Sequence, residues 1–290
     1  MYVLLAVVAV LSLLYLTWKV RYRYPPVDAP QALCYHKLSE RFCFEGTWTT
    51  PNRFLGQIDY LIGAGFSFIG EAEFLAALDD PSAGSSKRLL LTFDDGYEEL
   101  YDMYLDHLVP RGIPILVFLV VGYVGRENTW DLSMGRRSFR HLDWRQIEEM
   151  AKKGADFGSH GFSHTDLKTA GAEILDREIA RSREIISERI GTPIRSFSYP
   201  FGRYTSTIKT TVEAAGYSAA FSLYPRHRNE HIDRFALRRN GVYFIDTPMT
   251  INWKLERSRF FWFEEMKCRT INNVAALTPL LKRFSSGPGK

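Results

Sequence analysis

The stretch Leu89–Tyr97, LLLTFDDGY, constrains the fold of this chain more than any other. Three consecutive leucines lead through Thr92 and Phe93 into two adjacent carboxylates, Asp94 and Asp95, and Gly96 breaks the run. An unbroken apolar run of this length reads as a strand buried on both faces, the signature of a parallel sheet. Acids at the C-terminal end of such a strand stand at the rim where α/β folds place their active sites. Neighbouring strand residues point to opposite faces, so Asp94 and Asp95 need not do the same job. One can hold a metal while the other stays free as a base. Asp-Gly is also ordinary turn chemistry, and on this stretch alone a strand ending in a turn explains the pattern equally well.

The surrounding chain repeats the strand-then-helix alternation. Ala32–Tyr35, Phe66–Ile69, Ile115–Val121, Gly154–Gly158, Ile194–Tyr199, Ser218–Ser222 and Phe235–Leu237 read as further strands. Helices are expected at 51–62, 71–78, 98–109, 144–153, 173–190 and 205–215. Thr50-Pro51 and Asp143 supply the N-terminal signals of two of them. Alternation of this kind predicts an α/β fold with a parallel sheet, open or closed into a barrel. Gly122–Leu142 lacks periodicity and reads as a long functional loop. The 290 residues, 46% hydrophobic and 24% charged, suffice for one large domain with a full core. A net charge of +4, with no basic run interleaved with aromatics, argues against a nucleic-acid partner. Cys34, Cys43 and Cys268 form no C-x-x-C pair, which argues against a thiolate zinc site. A Cys34–Cys43 disulfide is conceivable, but the odd count and wide spacing favour free thiols.

Residues Tyr2–Trp18 carry no charge and form a run long enough to cross a bilayer. A cleaved signal peptide is the competing reading, weakened by the lack of a basic segment before the run. Lys19, Arg21 and Arg23 follow it, which by the positive-inside rule puts the body of the protein on the cytoplasmic side. The expected layout is a transmembrane anchor at 1–18, a juxtamembrane linker at 19–31, a catalytic domain at 32–249 and a C-terminal extension at 250–290. That extension is rich in Trp and Phe among Lys and Arg. It reads as a packed peripheral helix or as an amphipathic surface facing the membrane, with a disordered tail from Ser285.

The second chemical motif is Ser159–His164, SHGFSH. His160 and His164 stand four apart after a strand, a spacing that puts both rings on one side of a helical turn. Two imidazoles and one carboxylate leave metal positions open for water and substrate. Gly161 stands where the zincin motif needs its glutamate, so a base must come from elsewhere. In order and spacing, TFDDGY, SHGFSH and SYPFG (Ser198–Gly202) resemble the polysaccharide deacetylase family, also called the NodB-homology or carbohydrate esterase 4 family. LCYHK and RFALRRNGV look like its permuted branch, which holds the poly-N-acetylglucosamine deacetylases.

The resemblance implies a distorted (β/α) barrel, a metal-dependent N-deacetylase activity and a set of roles. Asp94 aligns with the catalytic base. Asp95, His160 and His164 align with the metal ligands, usually for zinc, with nickel, cobalt or iron in some members. Pro200, Phe201 and Gly202 align with a loop whose backbone N–H binds the oxyanion. His36 aligns with the catalytic acid of the permuted branch. No histidine lies beyond His231, which excludes a C-terminal catalytic histidine after that point and favours His36. Many family members carry an arginine just before P-[FY]-G that pairs with the base. Ser198 and Tyr199 stand there, so control of the Asp94 pKa is left unassigned. Tyr97, Trp144 and Tyr199 are candidate sugar platforms, and Arg238 and Arg239 candidate anion binders. His141, His227 and His231 read as surface or loop residues.

The substrate expected is an N-acetylhexosamine unit of a cell-envelope glycan or its lipid-linked precursor. A single lipid-linked aminosugar, deformylated or deacetylated on the cytoplasmic side, is the alternative within the same chemistry. A non-catalytic glycan-binding barrel is the alternative outside it, and the intact acid and histidine set speaks against that.

Overall fold

Leu89, Leu90 and Leu91 are each fully buried, as a strand covered on both faces requires. They belong to β5 (Arg88–Phe93) in a computed structural model that describes residues 30–40, 46–79, 87–129, 138–223 and 232–275. The expected membrane span, the expected linker up to residue 29, Cys43, His227, His231 and the C-terminal tail lie outside the described residues, and Gln31, expected in the linker, already belongs to the first strand. Among those described, no helix is long and apolar enough to cross a membrane.

The strands are β1 (Gln31–Tyr35), β2 (Lys37–Leu38), β3 (Trp48–Thr49), β4 (Ser67–Ile69), β5, β6 (Leu116–Leu119), β7 (Asp156–Ser159), β8 (Ser196–Ser198), β9 (Ala219–Leu223) and β10 (Leu237–Gly241). All pairings between them are parallel. The main sheet runs β1-β10-β9-β8-β7-β6-β5-β4, and β1 pairs β5 as well. That extra pairing closes seven of the eight strands into a barrel. Short β4 pairs the first half of β5, and β6 takes over along its second half. Here is the distortion: one strand has two neighbours on the same side. The first strand of the described chain thus closes the barrel between β5 and the last strand.

Strand alternation sorts the core into two layers. Leu90, Leu116, Phe118, Phe221 and Leu237 form an inner cluster with Phe74 and Leu75 of a helix at Glu71–Asp79. Leu89, Leu91, Phe93, Val117 and Leu119 pack outward against the helices. Continuing the inner parity along each strand reaches Cys34 and His36, Thr92 and Asp94, His160, Ser198 and Arg239. One rule of period two therefore delivers the polar residues of five strands to the same mouth.

The helices that matter below are α1 (Pro51–Gly63), α2 (Glu71–Asp79), α3 (Leu100–Met103), α4 (Trp144–Lys152), α5 (Ala172–Asp176), α6 (Ser182–Ile190), α7 (Ser206–Ala214), α8 (Pro248–Leu255) and α9 (Phe261–Ala275). Thr50 caps α1, and Asp143 with Gln146 forms a full capping box on α4. Two expected long helices are interrupted. After α3 the chain widens into a π-helical turn over Tyr104–Leu108, and α5 and α6 are joined by another over Arg177–Arg181. The second turn carries Glu178, which is fully buried under the histidine loop. The last strand lies at Leu237–Gly241 rather than Phe235–Leu237. Its sequence, LRRNG, conceals it: both arginines are paired inside the fold, and their partners are far away in the chain.

The flanks of the 122–142 loop are pinned rather than open. Glu127 bridges Arg140, Tyr97 bridges His141, and the Gly125 amide donates to the Leu142 carbonyl at 2.9 Å. Helices α8 and α9 pack on the barrel through buried charges. Lys254 donates to Asp246 at 2.5 Å and to the Gly241 carbonyl at 3.0 Å, and Lys267 reaches Asp246 at 2.9 Å.

Candidate active site

The ends of five strands, β1, β5, β7, β8 and β10, build the site. Beyond β5, Asp94 stays on the inner face, its amide donating to the Tyr35 carbonyl at 2.9 Å. Asp95 then takes a left-handed backbone with φ 69°, and Gly96 follows at φ 68°. A Cβ on Gly96 would stand 2.7 Å from Leu119, so only glycine fits there. The turn swings the Asp95 carboxylate to the same mouth as Asp94, which strand alternation alone would not allow. His141 is buried behind it, its Nδ1 2.9 Å from the Asp95 carbonyl and its ring stacked on Tyr97 at 4.8 Å. The expectation of a surface position for His141 is corrected accordingly.

Beyond β7, His160 remains on the inner face. Its Nδ1 donates to the Ser198 carbonyl at 2.8 Å, which turns Nε2 to the mouth as the free donor atom. Gly161, at φ 86°, turns the chain over the buried Glu178 carboxylate. That carboxylate accepts from the Phe162 and Ser163 amides at 2.7 and 2.9 Å and from the Ser163 hydroxyl. His164 ends the turn in a left-handed conformation, φ 56°. Non-glycine residues at positive φ cost energy and cluster at functional sites. Glu178 holds this turn in place, and sequence reading missed it. Glu178→Ala removes the acceptor from three part-buried donors, at about 1 kcal/mol each. The variant is expected to show a lower urea midpoint and weaker metal retention; unchanged values for both would remove that role.

The result is a compact donor set. His160 Nε2 lies 3.7 Å from Asp95 Oδ1, and His164 Nε2 lies 3.6 Å from the same oxygen. One ligating atom from each of the three falls within 4.8 Å of the others. One carboxylate and two imidazoles, with the second nitrogen of His160 fixed by a carbonyl, suit a divalent cation such as zinc. Burial pushes the pKa of both rings down, so both are neutral and ready to ligate.

Asp94 stands beside this set but not in it, its Oδ2 3.9 Å from His160 Nε2. Its partner is Arg239, entirely enclosed in the barrel. The guanidinium donates to both carboxylate oxygens, at 2.6 and 2.7 Å, and also to Ser198 Oγ at 2.7 Å and Thr92 Oγ1 at 3.2 Å. The Phe118 and Phe221 rings lie 5.1 and 5.8 Å from it. Burial alone would raise the Asp94 pKa; Arg239, aided by His160, outweighs it and holds the carboxyl well below the usual carboxylate range. The arginine sought before P-[FY]-G therefore comes from β10. The expectation that Arg239 binds a substrate anion is corrected: no substrate can reach it, and its fork is spent on the base. Arg238 pairs with Glu265 instead. The signal for Arg239 was present in its parity with Leu237, an apolar residue of the inner face.

Cys34 and His36 complete the mouth from β1. Cys34 is a buried free thiol whose Sγ donates to Asp94 Oδ2 at 3.4 Å. One ligating atom each from Cys34, His36 and Asp94 lies within 4.8 Å of the others. Burial pushes the His36 ring down to about 4, with Asp94 opposing and Arg239 reinforcing the shift. Its Nδ1 is buried without a hydrogen-bond partner among the described residues.

The Pro200-Phe201-Gly202 loop closes the remaining side. Phe201 and Gly202 are both left-handed, at φ 59° and 65°, and a Cβ on Gly202 would meet the Leu223 backbone nitrogen at 2.9 Å. The Phe201 ring packs edge-on to His164 at 4.6 Å. The three aromatic platforms fare differently from expectation. Tyr97 is buried under Lys37, 4.9 Å from its ring, and Asn128 donates to its hydroxyl. Tyr199 is buried, stacked on Tyr204 at 4.9 Å and donating to the Phe235 carbonyl. Trp144 is half-buried against the core with Arg189 5.2 Å from its ring. Tyr97 and Tyr199 are packing residues here, the first enclosed by Lys37, Phe139 and His141 and the second by Phe197 and Tyr204, whereas Trp144, at the start of α4, stays half-buried.

Comparison with known proteins agrees with this geometry. Residues 82–220 match the family model described as polysaccharide deacetylase. The chain is 25% identical over 211 residues to the Bacillus subtilis protein named "Putative polysaccharide deacetylase YxkH", covering 72% of this chain and 70% of that one. It is 23% identical over 183 residues to a Staphylococcus aureus poly-beta-1,6-N-acetyl-D-glucosamine N-deacetylase, of whose length the match spans 60%. The solved structure of IcaB from Ammonifex degensii superposes with a TM-score of 0.64 and 26% identity, covering 79% of this chain and 96% of that one. Barrel, site and relatives agree on one likeness: residues 82–220 of this chain match a polysaccharide deacetylase domain.

Proposed function

We propose that this protein is a metal-dependent hydrolase that removes acetyl groups from N-acetylhexosamine units of a glycan. Asp95, His160 and His164 are proposed to hold the cation, zinc by the chemistry of the donors. One observation carries the reading: an ionised carboxylate, Asp94, lies against the three-donor set without belonging to it. A glycan-binding barrel has no use for a buried base clamped by a buried arginine. The name of the Staphylococcus aureus relative supports the substrate class.

When bound, the cation would lower the pKa of water toward about 7 and polarise the amide carbonyl. Asp94 takes the proton of the attacking water. Arg239 keeps that carboxylate ionised and fixes the direction of its lone pairs. The backbone N–H of Phe201 is proposed to face the charge developing on the carbonyl oxygen, a contribution of about 3–4 kcal/mol for a donor of this kind. His36 is proposed to deliver a proton to the departing nitrogen, because an amide anion cannot leave. Its ring starts neutral at neutral pH. The proton it gives is therefore one released within the reaction and passed across from the neighbouring Asp94. Residues 2–18 are proposed to anchor the domain to a membrane.

The test is acetate release from N-acetylated β-1,6-glucosamine oligomers. Chelator-treated protein should be inactive and should recover on adding zinc. Failure of the metal-loaded protein on every N-acetylated oligomer would overturn the reading. His160→Ala should lose bound metal, and full occupancy in that variant would overturn the ligand set. His36→Ala should lower kcat by about 10²–10⁴ while leaving KM nearly unchanged, the range for general acid catalysis. An unchanged kcat would return His36 to a packing role.

A further inference from the structure

The C-terminal hairpin sorts its side chains in an unusual way. From the turn after α8 into the start of α9, the chain reads Arg257-Ser-Arg-Phe-Phe-Trp-Phe-Glu-Glu-Met266. Its two acids point inward and are paired: Glu264 with Lys254 and Lys267, Glu265 with Arg238 and Arg269. Phe260, Phe263 and Met266 stay out, 39%, 53% and 38% exposed. Arg259 is exposed beside them, 4.9 Å from the Phe260 ring. Trp253 and Trp262 extend the patch, with ring centroids 4.6 Å from Phe260 and 6.1 Å from Phe263. Aromatic rings flanked by arginines, with Glu264 and Glu265 withdrawn and Glu256 paired to Lys87 at the edge, are the chemistry of a lipid–water interface.

Three contacts fix where this patch lies. Gln31, the first residue of β1, donates to the Leu255 carbonyl at 2.7 Å. Lys87, just before β5, lies 3.4 Å from Glu256. Arg238, near the start of β10, pairs with Glu265 and lies 5.7 Å from the Phe261 ring. The patch therefore sits at the N-terminal ends of the strands, opposite the catalytic mouth. The chain also leaves the barrel at this end, at Gln31, toward the uncharged segment 2–18. Residues 19–30 can span at most about 40 Å, so the segment cannot insert far from the patch.

We propose that the face carrying Phe260, Phe263 and Met266 seats on the bilayer surface, and that the catalytic mouth opens away from it. This rests on residues 2–18 being an anchor, part of the function proposed above. Strands of this length set the mouth roughly 20 Å above the seat. The site then meets a glycan strand held clear of the headgroups, rather than a sugar attached directly to a lipid in the same membrane.

The test uses the full chain in phosphatidylcholine–phosphatidylglycerol vesicles. A nitroxide is placed at Phe263→Cys in a Cys43→Ser background, since Cys34 and Cys268 are buried. The control label goes at Ile174→Cys, on exposed α5. The oxygen-to-nickel-chelate collision ratio is expected to be several-fold higher at 263 than at 174. Equal ratios would overturn the proposal. Spin–spin broadening at 263 that persists in detergent would also overturn it, since a second copy would then cover the face. Replacing Phe260 and Phe263 by serine should leave acetate release from soluble oligomers unchanged, so loss of seating and loss of catalysis read out separately.

Discussion

Arg239→Met is expected to damage this protein twice. Removing one partner of a buried ion pair leaves the other charge enclosed without compensation, which costs about 3–5 kcal/mol. Asp94 and Arg239 are both enclosed, so solvent screening offers little relief. A urea titration should show a midpoint shift of that size. The second effect is on pH dependence. In the native protein, Arg239 overcomes the burial that would otherwise raise the Asp94 pKa. The carboxylate of the native site is therefore ionised throughout the neutral range. Its stabilising contribution is present above the unfolded carboxylate pKa and fades as pH falls through the depressed folded value. Without the guanidinium, burial governs, the pKa rises, and the acid limb of the rate profile should move to higher pH. Arg239→Lys keeps a charge but not the fork, and should recover part of the stability without restoring the full rate. A methionine variant with native stability and an unmoved acid limb would break the assignment.

The Asp94 and Asp95 pair should separate cleanly. Asp94→Asn is expected to retain metal, to lose stability because Arg239 is left without its counter-charge, and to lose about 10²–10⁴ in kcat. Asp95→Asn should instead lose metal, because it removes the anionic donor from the set. Metal analysis beside initial rates distinguishes the two variants. Near-native turnover by Asp94→Asn would exclude Asp94 as base; full metal in Asp95→Asn would exclude Asp95 as ligand. The two neighbours can differ so sharply because Asp95 leaves the strand through a left-handed turn while Asp94 is still held in the ladder.

Much of this was legible in the sequence, for a physical reason. Apolar runs report burial directly, and strand parity is local, so β5, β6 and the mouth-facing set around Asp94 and His160 follow from short windows. What was hidden were residues whose environment is set by distant partners. LRRNG has the composition of a solvated strand end. It becomes a buried strand only because Asp94 neutralises Arg239 across 145 positions, and Glu265 neutralises Arg238 across 27. Glu178 looked like one more polar residue on an amphipathic helix until the π-helical turn aimed it under the histidine loop. Tyr97 and Tyr199 erred in the opposite sense. Their proximity to the motifs in sequence suggested exposure at the mouth, whereas their rings fill the layer behind it.

The barrel is closed by its first and last strands, and the base takes its partner from the last. A ribosome that has not yet extruded residue 239 has already made all three donors for the cation. It has not made the guanidinium that keeps Asp94 ionised in the interior. Hydrolytic competence therefore arrives only with the final lap of the sheet.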